Sequence, residues 1–266
     1  MNRQLSDSRF FTFSVNKGEA MKRDEAGNDK VAIVFGGSRG IGAAAARQLA
    51  ADGFSVALTY VSRPASAKAL AAEIEAGGGR ALAFQADSKD AVAIRNAVVA
   101  AVERFGAIDV AVVNAGVLRL ARIDALGVED LDLMLDVNIR GVILSIQAAV
   151  ASMRDGGRVI TIGSNSASGR TSVEGAVYAM TKAAVARLVQ GLALDLAARR
   201  ITVNNIQPGP TATDMTQAHL DALAELVPLG RVAQPMEIAG LVAYLASPAA
   251  AHMTGASLTL DGGYAL

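Results

Sequence analysis

VFGGSRGIGAAAARQLAADG, residues Val34–Gly53, crowds four glycines into seven positions and then runs directly into an alanine-rich segment. Glycine gives up more conformational freedom in regular structure than any other residue, so a cluster marks a tight turn or a close backbone approach. A flexible surface loop would account for the glycines alone. A phosphate cradle would account for glycines followed by a helix, because a helix N-terminus offers unpaired N–H groups and the positive end of its dipole. The surrounding sequence has to choose between them.

On either side, short apolar runs alternate with amphipathic stretches of helical length. KVAIVFG reads as a first buried strand, with a helix over Gly40–Ala51 behind it. SVALTY is a second strand, with a helix over Ala65–Glu75 stopped by Gly77, Gly78 and Gly79. RALAFQAD is the third, followed by a helix from Asp90 to Phe105, and IDVAVVNAG the fourth, followed by a long helix over about Val128–Met153. GRVITIGS is the fifth, with a helix over about Val177–Ala198; ITVNNIQPG is the sixth and SLTLDGG the seventh. Strands and helices in this alternation build right-handed βαβ units on one parallel sheet. No repeat or linker divides the run. Residues 30–266 are therefore expected to form a single doubly wound, Rossmann-type α/β domain with a mostly parallel seven-stranded sheet flanked by helices. Residues 1–29 are polar and aperiodic, and are expected to be a disordered tail, with Met21 an alternative start.

Composition removes several classes of function. Lysine plus arginine and aspartate plus glutamate number 25 each, so no basic field points to nucleic acid or an acidic membrane. Cysteine is absent, which excludes a disulfide framework and thiol catalysis and fits a reducing, cytoplasmic compartment. His219 and His252 stand far apart with no ligand pattern around them, so no metal site is expected. No apolar run reaches the roughly 20 residues of a membrane span, and FFTFSV near the N-terminus is too short for a signal-peptide core.

The glycine stretch follows the first strand and opens the first helix, where a doubly wound sheet binds ligands at the carboxyl ends of its strands. The commonest dinucleotide fingerprint is G-x-G-x-x-G; here Gly36, Gly40 and Gly42 give G-x-x-x-G-x-G, with Gly37 extra. That variant occurs with Asn114-Ala115-Gly116, Asn138, Ser164, Tyr178-x-x-x-Lys182, Pro208-Gly209 and TGASLTLDGGY near the C-terminus. Together they resemble the short-chain dehydrogenase/reductase family over about residues 30–266, nearest in character to 3-oxoacyl-carrier-protein reductases and fungal polyhydroxynaphthalene reductases. Phe35 departs from the pattern: the family usually has threonine before the first glycine, so a hydroxyl that would brace the turn is missing. The resemblance implies cofactor contacts from Gly36, Ser38, Arg39, Gly40, Ile41 and Gly42 in the turn, and from Tyr60, Ser62 and Arg63 after the second strand. It implies others from Asp87 and Ser88 after the third strand and Asn114, Ala115 and Gly116 after the fourth. Pro208, Gly209 and Thr211 follow the sixth strand, with Ile206 expected to face the nicotinamide ring. Asp87 has a plainer alternative role as a cap for the next helix.

The choice of dinucleotide rests on charge. NAD sites place a carboxylate about 20 residues beyond the turn to hold the ribose 2′-hydroxyl, but no Asp or Glu lies between Asp52 and Glu73. Arg63 at the strand end and Arg39 in the turn suit a 2′-phosphate, so NADP(H) is the expected cofactor.

Tyr178 and Lys182 are four apart on a predicted helix and share a face. A free tyrosine phenol titrates near pH ~10, and an adjacent ammonium favours its ionised form. The resemblance makes Tyr178 the general acid in reduction. It has Ser164 position the carbonyl and Lys182 lower the phenol pKa and bind the nicotinamide ribose. Asn138 would hold a water linking Lys182 to solvent; its plainer role is to satisfy backbone in a bent helix. Asn165 and Ser166 adjoin Ser164 and leave its register open by one or two residues. Residues 211–235 are expected to form a substrate lid, with Met215, Leu220, Leu223, Leu226 and Val227 packing over a small carbonyl or alcohol substrate. No aromatic lies between Tyr178 and Tyr244 to stack a flat polycyclic substrate, and no basic cluster marks a carrier-protein dock. The expected function is an NADP(H)-dependent carbonyl reductase, working as a homotetramer. The alternative is a nucleotide-binding regulatory protein that retains the fold with little turnover.

Overall fold

Seven strands of the described residues, β1 (Val31–Phe35), β2 (Ser55–Tyr60), β3 (Arg80–Gln85), β4 (Ile108–Val113), β5 (Met153–Ile162), β6 (Thr202–Pro208) and β7 (Ser257–Leu260), pair into one sheet. Its order is β3-β2-β1-β4-β5-β6-β7 and every pairing is parallel. The computed structural model describes residues 30–169 and 171–266, so the tail expected over 1–29 lies outside them. The order reverses direction at β1/β4, which places the exits of those two strands side by side at the carboxyl edge.

Helices cover both faces: α1 (Gly40–Ala51), α2 (Pro64–Ala76), α3 (Ala91–Phe105), α4 (Val128–Leu135), α5 (Gly141–Ala151), α6 (Ala176–Asp195), α7 (Leu220–Leu226) and α8 (Pro235–Ala246). Parallel strands buried on both sides need continuous apolar runs, and every residue of β1, β2 and β6 is buried. The strand period of two splits β1 between two cores. Ala32 and Val34 join the cluster containing Leu49, Leu70 and Ile238; Val31, Ile33 and Phe35 join the one containing Ile94, Ile146 and Val189.

Three expectations about the elements are corrected. The helix read over Val128–Met153 is broken at Asp136–Arg140, where the backbone takes a π turn, and it ends at Ala151. Met153 belongs to β5, pairing with Ile108 before the register shifts so that Val110 meets Arg158. The helix read over Val177–Ala198 ends at Asp195, and Ala197–Arg199 tightens into a 3-10 turn. The third correction is α8, which is not among the expected helices. Pro235, expected at the end of the lid, opens this helix at N1, and Glu237 Oε2 accepts the Gln234 N–H at 2.8 Å. Length and composition alone would also let Val128–Ala151 cross a membrane, contrary to the expectation that no run is long enough. Met134, Val142, Ile146 and Ala149 are instead buried within the molecule.

Candidate active site

The site begins at the turn after β1. Gly36 (φ +74°) and Gly40 (φ +53°) hold left-handed conformations that side chains rarely adopt. Gly36 also has no room: a Cβ there would lie 2.9 Å from the Ala115 Cα. At Gly42 a Cβ would run into the Gly36 carbonyl and lie 2.6 Å from Asn114 Nδ2. Two of the three fingerprint glycines are thus required by protein packing that seats α1 on the exit of β4, and only then by any ligand. The exit of β4 is pinned in return. The N–H groups of Asn114 and Ala115 donate to Phe35 O at 3.1 and 2.9 Å, and Asn114 Nδ2 donates to Gly36 O at 2.8 Å. The hydroxyl missing at Phe35 is supplied from β2, where Thr59 Oγ1 accepts the Gly36 N–H at 3.0 Å. Phe35 is itself buried in the core. No side chain caps α1 and its first turn carries no acid, so its N-terminal N–H groups and dipole suit a pyrophosphate.

The exits of β4 and β5 meet α6 and the π turn at a second cluster. Ser164 leaves β5 in extended conformation, and its Oγ accepts from Ser166 N at 3.2 Å and Ser166 Oγ at 2.9 Å, leaving its own proton to donate. Asn165 turns away, buried and bonded to Asp261. Ser164 is the serine whose side chain reaches Tyr178 by a hydrogen bond, with Ser166 bonded behind it. Tyr178 lies one turn before Lys182, whose Nζ stands 5.8 Å from the phenol ring centroid. Burial holds the Tyr178 phenol above its usual range, with a hydrogen bond from Ser164 pulling the other way. The lowering expected from Lys182 is not among the influences on this phenol. Lys182 is buried, donates to Ile162 O at 3.1 Å, and is pushed down to about 8 by desolvation. Asn138, fully buried in the π turn, accepts from Val117 N and donates to Val117 O, both at 2.8 Å, and donates to Thr181 Oγ1 at 3.2 Å. Its amide serves backbone, though that of the β4 exit and not of its own helix. A Cβ at Gly116 would lie 3.3 Å from Lys182 Nζ and 3.5 Å from Asn138 Oδ1, so that glycine keeps the approach to both open.

Around the outer rim, Arg39 and Arg63 come together although 24 positions separate them in the chain, because both meet Asp214 of the lid. Their hydrogen bonds and charges, Arg39 foremost, hold the Asp214 carboxyl below the usual carboxylate range. Ser38 lies partly exposed in the turn, Ile41 partly exposed at the start of α1, and Ser62 exposed beyond β2. Asp87 is not a helix cap: Asp90 caps α3, while Asp87 Oδ1 accepts the Lys89 N–H at 3.0 Å. Ser88 is buried where Gly141 lets the start of α5 approach it closely. Tyr60 is nearly buried and belongs to the core cluster of α2.

On the far side, Pro208 is buried at the end of β6 and Gly209 abuts Asp261, leaving no space there for a Cβ. The Thr211 hydroxyl donates to Gly209 O at 2.9 Å. Ile206 is fully buried in the core, so its expected place against a nicotinamide ring is corrected. In the lid Val227 is buried while Met215 and Leu226 are exposed, so the five apolar residues form no common stripe. Sequence reasoning misses Thr59 and Asp214. Each acts across at least 23 residues of chain, where no local spacing announces it.

A family model described as enoyl-(acyl carrier protein) reductase matches residues 36–265. The chain is 40% identical over 239 residues to the cyclic-di-GMP-binding biofilm dispersal mediator protein of Escherichia coli, across 88% of this chain and 97% of that one. It is 39% identical over 239 residues to a 3-oxoacyl-(acyl-carrier-protein) reductase of Synechocystis, across 88% and 96%. Among solved structures, a short-chain dehydrogenase from Burkholderia cenocepacia in complex with NADP aligns with a TM-score of 0.85 at 45% identity, over 88% of this chain and 97% of that chain.

Proposed function

Because the chain belongs to the short-chain dehydrogenase/reductase family of oxidoreductases, we propose that it is an NADPH-dependent carbonyl reductase, reversible as an alcohol dehydrogenase, acting on a small ketone or aldehyde. A 3-oxoacyl compound falls within that class. The observation that carries the reading is the convergence of Ser164, Tyr178 and Lys182 beside the glycine turn. The residues present fit the cofactor. The uncapped start of α1 suits the pyrophosphate, Gly116 has no side chain to crowd Lys182, and Arg39 and Arg63 suit a 2′-phosphate. When bound, its nicotinamide supplies the hydride.

The chain's own residues do the rest. Ser164, whose oxygen already accepts two hydrogen bonds, directs its proton at the carbonyl oxygen and orients it. Tyr178, protonated at neutral pH as any phenol is, gives its phenolic proton to that oxygen as the alcohol forms. The hydrogen bond from Ser164 favours the phenolate left behind, the buried ammonium of Lys182 is the group that would hold the nicotinamide ribose, and Asn138 fixes the β4 exit beside Lys182. Solvent would return a proton to the Tyr178 phenolate, along a water that Asn138 would hold beside Lys182.

Dissociation constants for the two cofactors test the reading. NADPH is expected to bind at least tenfold more tightly than NADH, about 1.4 kcal/mol, within reach of one phosphate–arginine contact. Equal values or tighter NADH would sink it. A second reading, a nucleotide-binding regulator with little turnover, is supported by the name of the Escherichia coli relative. A steady NADPH-consuming rate on any carbonyl of a panel separates the two. The absence of cysteine and the balanced charge support a cytoplasmic protein without nucleic-acid or membrane partners.

A further inference from the structure

The two arginines that favour a 2′-phosphate already share an anion. Arg39 NH1 lies 3.1 Å and Arg63 NH1 2.7 Å from one oxygen, Oδ2, of Asp214. Arg39 belongs to the glycine turn and Arg63 to the exit of β2, while Asp214 comes from the lid, 175 and 151 residues further along the chain. The lid reaches the turn at this point. A Cβ on Gly40 would meet the Thr213 methyl at 3.3 Å, and Asp214, Thr213, Gly40 and Ala44 line an open groove of about 400 Å³ between α1 and the lid. The local backbone is held without Asp214: Ala212 N donates to Ala233 O at 2.8 Å, and the Thr216 hydroxyl donates to Thr211 O. The Asp214 carboxylate is therefore spare to the lid's own architecture.

Charge counting gives the sign. Two guanidinium groups close enough to share one oxygen repel each other, and a bridging anion relieves that repulsion. Asp214 supplies one negative charge and uses one oxygen. A phosphate monoester carries about −1.5 to −2 at neutral pH with three acceptor oxygens, and can pair bidentately with an arginine. Both anions want the same cations, and whichever geometry they settle into, each repels the other.

We propose that Asp214 is a specificity-tuning residue that competes with the 2′-phosphate of NADP(H) for Arg39 and Arg63. It weakens the affinity for phosphorylated dinucleotide below what the arginines alone would give and eases its release. NADH, which lacks that phosphate, leaves the bridge standing. The inference rests on the NADP(H) reading above.

The test replaces the charge and keeps the shape. Calorimetry on the full chain measures NADPH, NADH, adenosine 2′,5′-bisphosphate and AMP binding to the parent and to Asp214→Asn at low salt, and again at about 0.5 M salt. The variant is expected to bind NADPH and the bisphosphate about two- to fivefold more tightly, the range that exposed charge pairs reach. NADH and AMP are expected to stay within about 1.5-fold, and the gain is expected to shrink at high salt. Asp214→Ala is expected to move the constants in the same direction. NADPH affinity unchanged or weakened in both variants overturns the proposal, as does an equal gain for NADH. A parent without NADPH preference whose variant acquires one upholds the competition while sinking the stated preference. A parent that prefers NADPH, with a variant of the same ratio, sinks the competition alone.

Discussion

Tyr178 and Lys182 are both displaced from their ordinary titration ranges by burial, in opposite senses. A phenol raised above its usual range keeps its proton at neutral pH but gives it up less readily, since a general acid works best with a pKa near the working pH. Tyr178→Phe removes that proton while leaving the ring, so kcat for carbonyl reduction is expected to fall by about 10²- to 10⁴-fold with NADPH affinity little changed. Lys182→Ala is expected to weaken both. A phenylalanine enzyme within a few-fold of the parent would mean that the proton comes from elsewhere. Lys182 adds a pH signature. Its folded pKa of about 8 lies below the ordinary lysine value, so the ammonium is present below pH 8 and lost above it. kcat/KM for reduction is then expected to decline about tenfold per pH unit above 8, whereas a profile flat to pH 9.5 would remove the ammonium from the mechanism. The stability sign is the reverse: the buried ammonium costs stability below about pH 8, and that cost fades as pH rises toward the unfolded value of about 10.4.

At the scale of elements, the glycine turn shows why so much of the sheet could be read from sequence and why the site's supports could not. Strand and helix periods are local, and α1, α2, α3 and α6 lie where periodicity places them or within a few residues, while one expected helix splits into α4 and α5. The π turn at Asp136–Arg140 has no periodic signature, because its apolar residues continue the helix on both sides and only the backbone pairing changes. The helix α8 did carry a signal, proline at N1 with glutamate two residues later, at the point where the expected lid ends. Ser164, Tyr178 and Lys182 were singled out through the family resemblance, since a tyrosine and a lysine four apart mean little alone. Thr59 and Asp214 were not, since what they touch is fixed only when β2 and the lid reach the turn. The glycines themselves were legible as a close approach, but not what approaches. Gly42→Ala separates the packing role from the ligand role. Its methyl would collide with Gly36 O and crowd Asn114, so α1 must shift from the β4 exit. Overpacking of this kind costs about 1–3 kcal/mol, and the melting temperature is expected to drop even with no cofactor present. A variant that melts like the parent and merely loses NADPH binding would show that Gly42 serves the ligand alone.

The whole molecule leaves apolar side chains uncovered on the sheet face that carries α4, α5 and α6. Val128 is 67% exposed, Met180 49% and Leu194 80%, and Ile123 nearby is 78% exposed. Single exposed apolar residues need no explanation, but these four lie on or beside α4 and α6. Burial between copies would explain why α6 is rich in alanine, valine and leucine beyond its inward face. We therefore expect a homotetramer, with a scattering mass about four times the 27.2 kDa of one chain at micromolar concentration. Leu194→Glu makes the expectation specific to this face. In one isolated copy that side chain stands in solvent, so a glutamate there leaves folding untouched. Between copies it would bury an unpaired carboxylate, which is costly enough to split an interface. The expected result is a smaller assembly with an unchanged circular-dichroism spectrum and unchanged cofactor affinity per chain. A wild-type monomer sinks the tetramer outright, and a Leu194→Glu protein that keeps the full mass moves the interface to some other face.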